Sequence, residues 1–178
     1  MKEFAFSRIC ILMMSWLVLA SCSKTEIKKP LEYEGPMREA ENIEMFYTEN
    51  DRVKVKMQAA LLYEFQNGDQ EFPKGIYLEF YDENGKLESK LSANHAYFFK
   101  EQDQWRGQGN VQVDNVATDE HLSTEELFWK RSSKKIFTDK FVTIRQPGEV
   151  IYGDGLDAEQ DLSDYEIINP RGQTKIDD

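Results

Sequence analysis

The stretch Ile76-Tyr77-Leu78-Glu79-Phe80-Tyr81-Asp82-Glu83-Asn84-Gly85 decides the fold. Ile76, Leu78 and Phe80 alternate with Tyr77, Glu79 and Tyr81. A period of two places the apolar set on one face of an extended strand. Asn84-Gly85 then offers two residues that tolerate positive φ, the requirement of a tight hairpin. The alternation recurs on both sides. Val53, Val55, Met57 and Ala59 alternate with Lys54, Lys56 and Gln58; Val111 and Val113 with Gln112 and Asp114; Val142 and Ile144 with Thr143 and Arg145. Asn67-Gly68-Asp69, Gly107-Gln108-Gly109-Asn110 and Gln146-Pro147-Gly148 read as turns between these runs. After residue 60 no segment sustains a 3.6-residue period over a helical length. The expected fold is all-β, an elongated and open-ended sandwich of stacked antiparallel strands.

A weak internal repeat sharpens that expectation. Leu91-Ser92-Ala93-Asn94-His95-Ala96-Tyr97-Phe98 resembles Leu122-Ser123-Thr124-Glu125-Glu126-Leu127-Phe128-Trp129 at an offset of 31 residues, and Ile151-Tyr152-Gly153-Asp154-Gly155-Leu156 follows 29 residues later. Each unit reads as one crossing of a pair of sheets. A stack of such units has an unpaired edge at each end.

The N-terminus reads as a targeting segment and stands outside the fold. Lys2 and Arg8 precede an apolar run over residues 9–20, interrupted by Ser15. That run is shorter than the roughly 20 residues of a comfortable membrane span. It ends in Leu19-Ala20-Ser21-Cys22, which looks like a lipobox: an apolar residue and two small residues before a cysteine that is acylated and becomes the new N-terminus. Residues 1–21 are thus expected to be a lipoprotein signal peptide, and Cys22 the lipidation site. The chain has two cysteines, Cys10 and Cys22, so the mature domain would hold no disulfide and rely on its core. Residues 22–40, with Lys24, Lys28, Lys29, Pro30, Gly35 and Pro36, read as a tether, with a short helical turn over 37–45 as a weaker possibility. The folded domain is expected over 41–178.

The formal charge is -11 and becomes -12 once Lys2, Glu3 and Arg8 leave with the leader. So acidic a surface argues against nucleic acid, whose phosphates need Lys and Arg, and against the body lying flat on anionic lipid. Aromatic residues make up 12% of the chain, enough to fill a core and exclude global disorder.

Several segments together resemble the LptC family. They are Phe72-Pro73-Lys74-Gly75-Ile76, Tyr81-Asp82-Glu83-Asn84-Gly85, Ser89-Lys90-Leu91-Ser92-Ala93 through Ala96-Tyr97, Gly109-Asn110-Val111-Gln112-Val113, the Leu122 unit, Ile136-Phe137-Thr138-Asp139, Val142-Thr143-Ile144 and Tyr152-Gly153-Asp154-Gly155-Leu156. The resemblance covers about residues 40–170. It implies a twisted β-jellyroll whose sheets part to admit acyl chains. It also implies a place beside an inner-membrane ABC transporter of the LptBFG type, which extracts lipopolysaccharide, and strand-to-strand docking onto a periplasmic bridge protein like LptA. Many family members are held by a transmembrane helix, whereas this chain reads as anchored to the membrane through Cys22. The implied location is the periplasmic side of the inner membrane, with the outer membrane as the alternative.

Ile76, Leu78, Phe80, Val111, Val113, Phe128, Phe137, Val142 and Ile144 would fill the core of an ordinary sandwich; the resemblance makes them candidates for an acyl-chain groove. Residues 164–169 read as the final strand, with Tyr165 and Ile167 on one face and Glu166 and Ile168 on the other. The resemblance makes Tyr165, Ile167 and Ile168 the partner-binding edge. No cofactor or metal is expected. His95 and His121 lack ligand spacing, and the acidic run from Asp154 puts Leu156 and Glu159 where a calcium loop needs a ligand and a glycine. Catalytic motifs are missing as well, so the chain is not expected to be an enzyme. Three functions compete: lipid transfer, an envelope lipoprotein with a solid core that binds glycan or protein, and a hydrolase with paired carboxylates in a polar cleft.

Overall fold

The computed structural model describes residues 33–175. These hold fourteen strands: β1 (Arg38–Glu49), β2 (Arg52–Glu64), β3 (Gln70–Phe72), β4 (Ile76–Tyr81), β5 (Leu87–Ala93), β6 (His95–Phe99), β7 (Gln104–Asn115), β8 (Glu120–Lys130), β9 (Lys135–Thr138), β10 (Val142–Gln146), β11 (Glu149–Gly153), β12 (Leu156–Glu159), β13 (Tyr165–Ile167) and β14 (Arg171–Lys175). All their pairings are antiparallel and join them in one continuous sheet.

The pairings resolve into nine rungs laid side by side in chain order. They are β1, β2, β3 with β4, β5 with β6, β7, β8, β9 with β10, β11 with β12, and β13 with β14. Long rungs take part in two leaves. β2 pairs β4 through residues 55–58 and β3 through residues 63–64. β7 pairs β6 through 104–108 and β5 through 112–115. β8 pairs β10 through 121–124 and β9 through 128–130. Leaf one therefore holds β4, β5, β10, β11 and β14, and leaf two holds β3, β6, β9, β12 and β13. The leaves meet along a fold line and part at a mouth, where the hairpin turns form two lips. Phe80 of leaf one packs edge-on against Trp129 of leaf two, with ring centroids 5.3 Å apart.

Left-handed residues mark the fold line. Asn42, Gly75, Gly109, Asn110 and Asn169 all have positive φ. At Gly109-Asn110 the register between β7 and β8 slips by one residue, and a bulge of this kind bends a strand. Inward-facing parity changes at the same line: Leu122 and Thr124 are buried before it on β8, Leu127 and Trp129 after it. Gly153 serves a different need, close approach, since a Cβ there would lie 2.2 Å from Cγ2 of Ile167.

The two inner faces share one core that includes Phe72, Phe80, Leu122, Val142, Ile144, Leu156 and Leu162. Burying each such side chain contributes roughly 1.5–3 kcal/mol. The 31-residue repeat finds its explanation here. Leu91 and Leu122 lie on rungs four and six, two rungs apart, the interval after which an antiparallel chain runs in the same direction again.

Four local expectations need correction. The possible helical turn over 37–45 is strand, because β1 pairs with β2 along its length; an isolated helix so short has no comparable support. β1 begins at Arg38, inside the stretch read as tether. Gly107-Gln108-Gly109-Asn110 is the bulge within β7 and makes no turn. The strand at 164–169 exists as β13 but is not the final one; β14 follows and pairs with β11.

Candidate functional site

An apolar cleft opens at the mouth along the first six rungs. Met45, Phe46 and Tyr47 of β1 with Val55 and Met57 of β2 form one wall. Leu78, Phe98, Trp105 and Trp129 form the floor and the opposite wall, with Gln70 and Arg131 at the rim. The free volume is about 250 Å³, below the ~300–1,000 Å³ that encloses a drug-sized ligand. The tryptophans are cross-strand partners on β7 and β8, with rings 6.0 Å apart, and Phe98 and Phe72 lie against Trp105 at 4.9 and 5.5 Å. This aromatic group is rigid and bulky. Opposite it, Met45 and Met57 are unbranched and adapt to irregular space.

The cleft opens into a polar basin of about 510 Å³ that shares Tyr47, Val55, Trp129 and Arg131 with it. Lys54, Lys134, Glu83, Glu88 and Asp103 line the basin. Arg131 donates to Asp103 at 3.0 Å and sits 5.3 Å over the ring of Tyr47. Lys54 is 3.9 Å from Glu83. Each of these ion pairs has one exposed member, Glu83 or Arg131, and one partly buried member, Lys54 or Asp103. Burial raises the carboxyl of Glu88, helped by the neighbouring charges of Asp161 and Asp82.

Of the nine groove candidates from the sequence, Leu78 lines the cleft. Ile76 and Val111, with Leu78, border an interior gap of about 20 Å³, space for about one water. Phe80, Val113, Val142 and Ile144 are buried in the core. Phe128 and Phe137 drop out of the groove set: they alternate with the buried Leu127, Trp129 and Ile136 and stack on each other at 5.4 Å, on the outer face of leaf two. Arg106 lies over Phe128 there and also bonds Glu126. Met45, Met57, Phe98, Trp105, Trp129 and Arg131 were missed as site residues. Met57 stood in an alternating run, but nothing in the sequence sets the cleft tryptophans apart from core.

At the far end, Tyr165 and Ile167 pack half-buried against the core, while Ile168 is 46% exposed. Bonds from the Glu159 amide to the Asp164 carbonyl and from the Ile168 amide to the Gly155 carbonyl turn the even positions toward β12. The amides of Tyr165 and Ile167 therefore face away from the sheet, on an edge with no further strand among the described residues.

Cys22 lies outside the described residues. His95 pairs with Glu71 at 2.9 Å. His121 pairs with Asp114 at 2.6 Å and Asp119 at 3.3 Å, and its pKa is raised chiefly by the bond to Asp114. In the acidic stretch, Asp154 pairs with Arg171, and Lys135 stands 3.7 Å from Asp157 and 2.9 Å from Glu159. Among the described residues no cluster could hold a metal ion, and no helix is long and apolar enough to cross a membrane.

Fold and cleft together define an open antiparallel β-jellyroll with an apolar cleft between its leaves. A family model described as lipopolysaccharide-assembly, LptC-related, matches residues 7–174, nearly the whole chain. The chain belongs to that family, a family of lipopolysaccharide-transport components associated with the periplasmic side of the inner membrane and not one of enzymes. No curated protein matches it.

Proposed function

We propose that this chain accepts lipopolysaccharide from an inner-membrane ABC transporter and passes it to a periplasmic jellyroll bridge, without chemistry of its own. The observation that carries this reading is the pairing of an apolar cleft with a polar, cation-bearing basin that opens from it. An amphiphile with acyl tails and a polar head fits this pairing. The basin's five carboxylates, Glu49, Asp82, Glu83, Glu88 and Asp103, outnumber its three cations, so a phosphate on the head would be held by direct contact with those cations and not drawn in by net charge. Tails in the cleft contribute about 0.8 kcal/mol per buried CH₂. Arg131, Lys54 and Lys134 face where the head would lie, and Arg131 presents a planar fork suited to phosphate. The cleft is too small for a whole multi-chain lipid, so it serves as an entry seat from which tails advance between the leaves.

Onward delivery would use the last rung. The outward amides of Tyr165 and Ile167 offer a template for strand addition by a bridge protein like LptA; its test is partner capture by an edge-disrupted variant. Acylation of Cys22 would hold the chain at the membrane. Metabolic labelling with a fatty-acid analogue tests that role: Cys22→Ala should take up no label, and label retained in the variant refutes it.

For the cleft, the experiment is copurification of lipopolysaccharide with the full chain and with Phe98→Asp. A charge on the cleft wall is costly beside an acyl chain but remains near solvent in the empty protein. The expected result is a folded variant that carries at least tenfold less lipid, about 1.4 kcal/mol of lost binding. Normal lipid content in a folded variant refutes the assignment.

A further inference from the structure

The loop over residues 160–164, between β12 and β13, belongs to the lip of leaf two yet crosses the mouth. Asn115, at the end of β7 on the other lip, donates from Nδ2 to the carbonyl of Asp161 at 2.6 Å. The Gln160 amide donates to the Lys134 carbonyl at 2.9 Å, and its side-chain oxygen accepts from Nε1 of Trp129 at 3.1 Å. Between these ties Leu162 turns inward. It is 1% exposed and belongs to the same core as Phe80 and Leu156. Its φ is +60°, a left-handed conformation that a residue with a branched side chain rarely adopts. The turn is held locally, by the Leu162 amide on the Glu159 carbonyl and by the amide and hydroxyl of Ser163 on Oδ1 of Asp161. Just beyond the loop, the Tyr165 hydroxyl donates across the lips to Gln146 at 3.3 Å.

Leu162 is thus an apolar plug supplied by a loop. Its loop can leave the mouth while the Glu159–Asp164 ladder bond stays as its hinge, because the other ties that hold it down are side-chain bonds or bonds to turn carbonyls. Those groups can all bond to water once the loop lifts, so opening leaves no buried polar group unsatisfied. A branched aliphatic side chain and an acyl segment are chemically equivalent occupants of such a seat. The open cleft also leads to it: Trp129 lines the cleft and holds Gln160 of the loop.

We propose that residues 160–164 form a strap over a second, gated acyl-chain seat, in which Leu162 stands in for the lipid until a chain advancing from the cleft displaces it. The seat continues the cleft toward β13, the edge that follows the strap directly in the chain. This inference rests on the lipid-transfer reading and assigns that path a closed state and an open one.

Hydrogen exchange on the full chain, with and without purified lipopolysaccharide, separates the two ideas. The Gln160 amide, bonded in the closed state to the Lys134 carbonyl outside the loop, reports strap opening, whereas the Leu162 and Ser163 amides are bonded within the turn. With lipid, amides of β1 and β2 beside the cleft should slow, while that of Gln160 should exchange about tenfold faster. Gln160→Ala should speed strap exchange without lipid and leave β7 and β8 protected; Asn115→Ala should also speed strap exchange, and in addition frees the Ala117 and Thr118 amides of the β7–β8 turn. A protected cleft beside an unchanged or slowed strap overturns the gate and leaves the lipid reading standing. No lipid-dependent change in either region removes the lipid reading and the gate together.

Discussion

The open and closed halves of the mouth are built of like rungs and differ in what fills them. Along the early rungs the inward side chains at the mouth are Met45, Met57, Phe98, Trp105 and Trp129, long or aromatic, and a cleft remains between the leaves. Along the later rungs they include Ile136, Ile144 and Ala158, small or aliphatic, and the leaves close with Leu162 between them. Large planar rings hold two leaves apart, whereas small aliphatic groups let them approach to full contact. The polar ties follow the same division. The Asn115–Asp161 and Tyr165–Gln146 bonds stitch the later half. In the earlier half the Arg131–Tyr47 contact spans the mouth with a cation over a ring.

Truncation on each side tests that division first. Ile144→Ala, in the closed half, should cost about 3–5 kcal/mol, since a buried aliphatic replaced by alanine leaves an unfilled cavity. Met57→Ala, buried but bordering the cleft, should cost nearer the low end, about 2 kcal/mol, because the cleft beside it gives the site room to relax. Urea melts of the two variants decide. Equal losses would mean that the cleft closes in solution and the halves do not differ.

A smaller effect on stability is expected at the far edge. Ile167→Pro removes an outward amide that β12 does not use, so destabilisation should stay below about 1.5 kcal/mol. Capture of an LptA-like partner should nevertheless fall at least tenfold. Undiminished capture by a folded variant would place docking elsewhere, and a melt lowered as far as by Ile144→Ala would show that β13 belongs to the core.

The strands were legible because alternation over Ile76-Tyr77-Leu78-Glu79-Phe80-Tyr81 and Val111-Gln112-Val113 has one meaning when one face is buried. The fold line was harder to read. Asn42 and Asn110 lie within strands at positive φ, and in Gly107-Gln108-Gly109-Asn110 the chemistry of a turn was used for a bulge, since both need left-handed residues. Pairing between distant rungs decides which, and that is a tertiary fact. The cleft was legible only in kind. Alternation says which side chains point inward but not whether the opposite leaf touches them, so Val142 and Ile144 read as well for a groove as Met57 did. Phe128 and Phe137 misled for a related reason: β8 changes parity between Thr124 and Leu127, which turns Phe128 outward. Leu162 gave no signal at all, because a loop leucine enters the core through backbone conformation and not through periodicity.

The central claim is that lipid tails enter between the leaves at the early rungs. Photo-crosslinking tests it most directly, with a benzophenone side chain placed in turn at Tyr47, Phe98, Phe128 and Phe137 of the full chain in cells that make lipopolysaccharide. Tyr47 and Phe98 line the cleft, while Phe128 and Phe137 stack on the outer face of leaf two. The expected result is lipopolysaccharide adducts from Tyr47 and Phe98 and none above background from Phe128 or Phe137. Adducts of equal strength from the outer pair, or from the outer pair alone, would contradict the account.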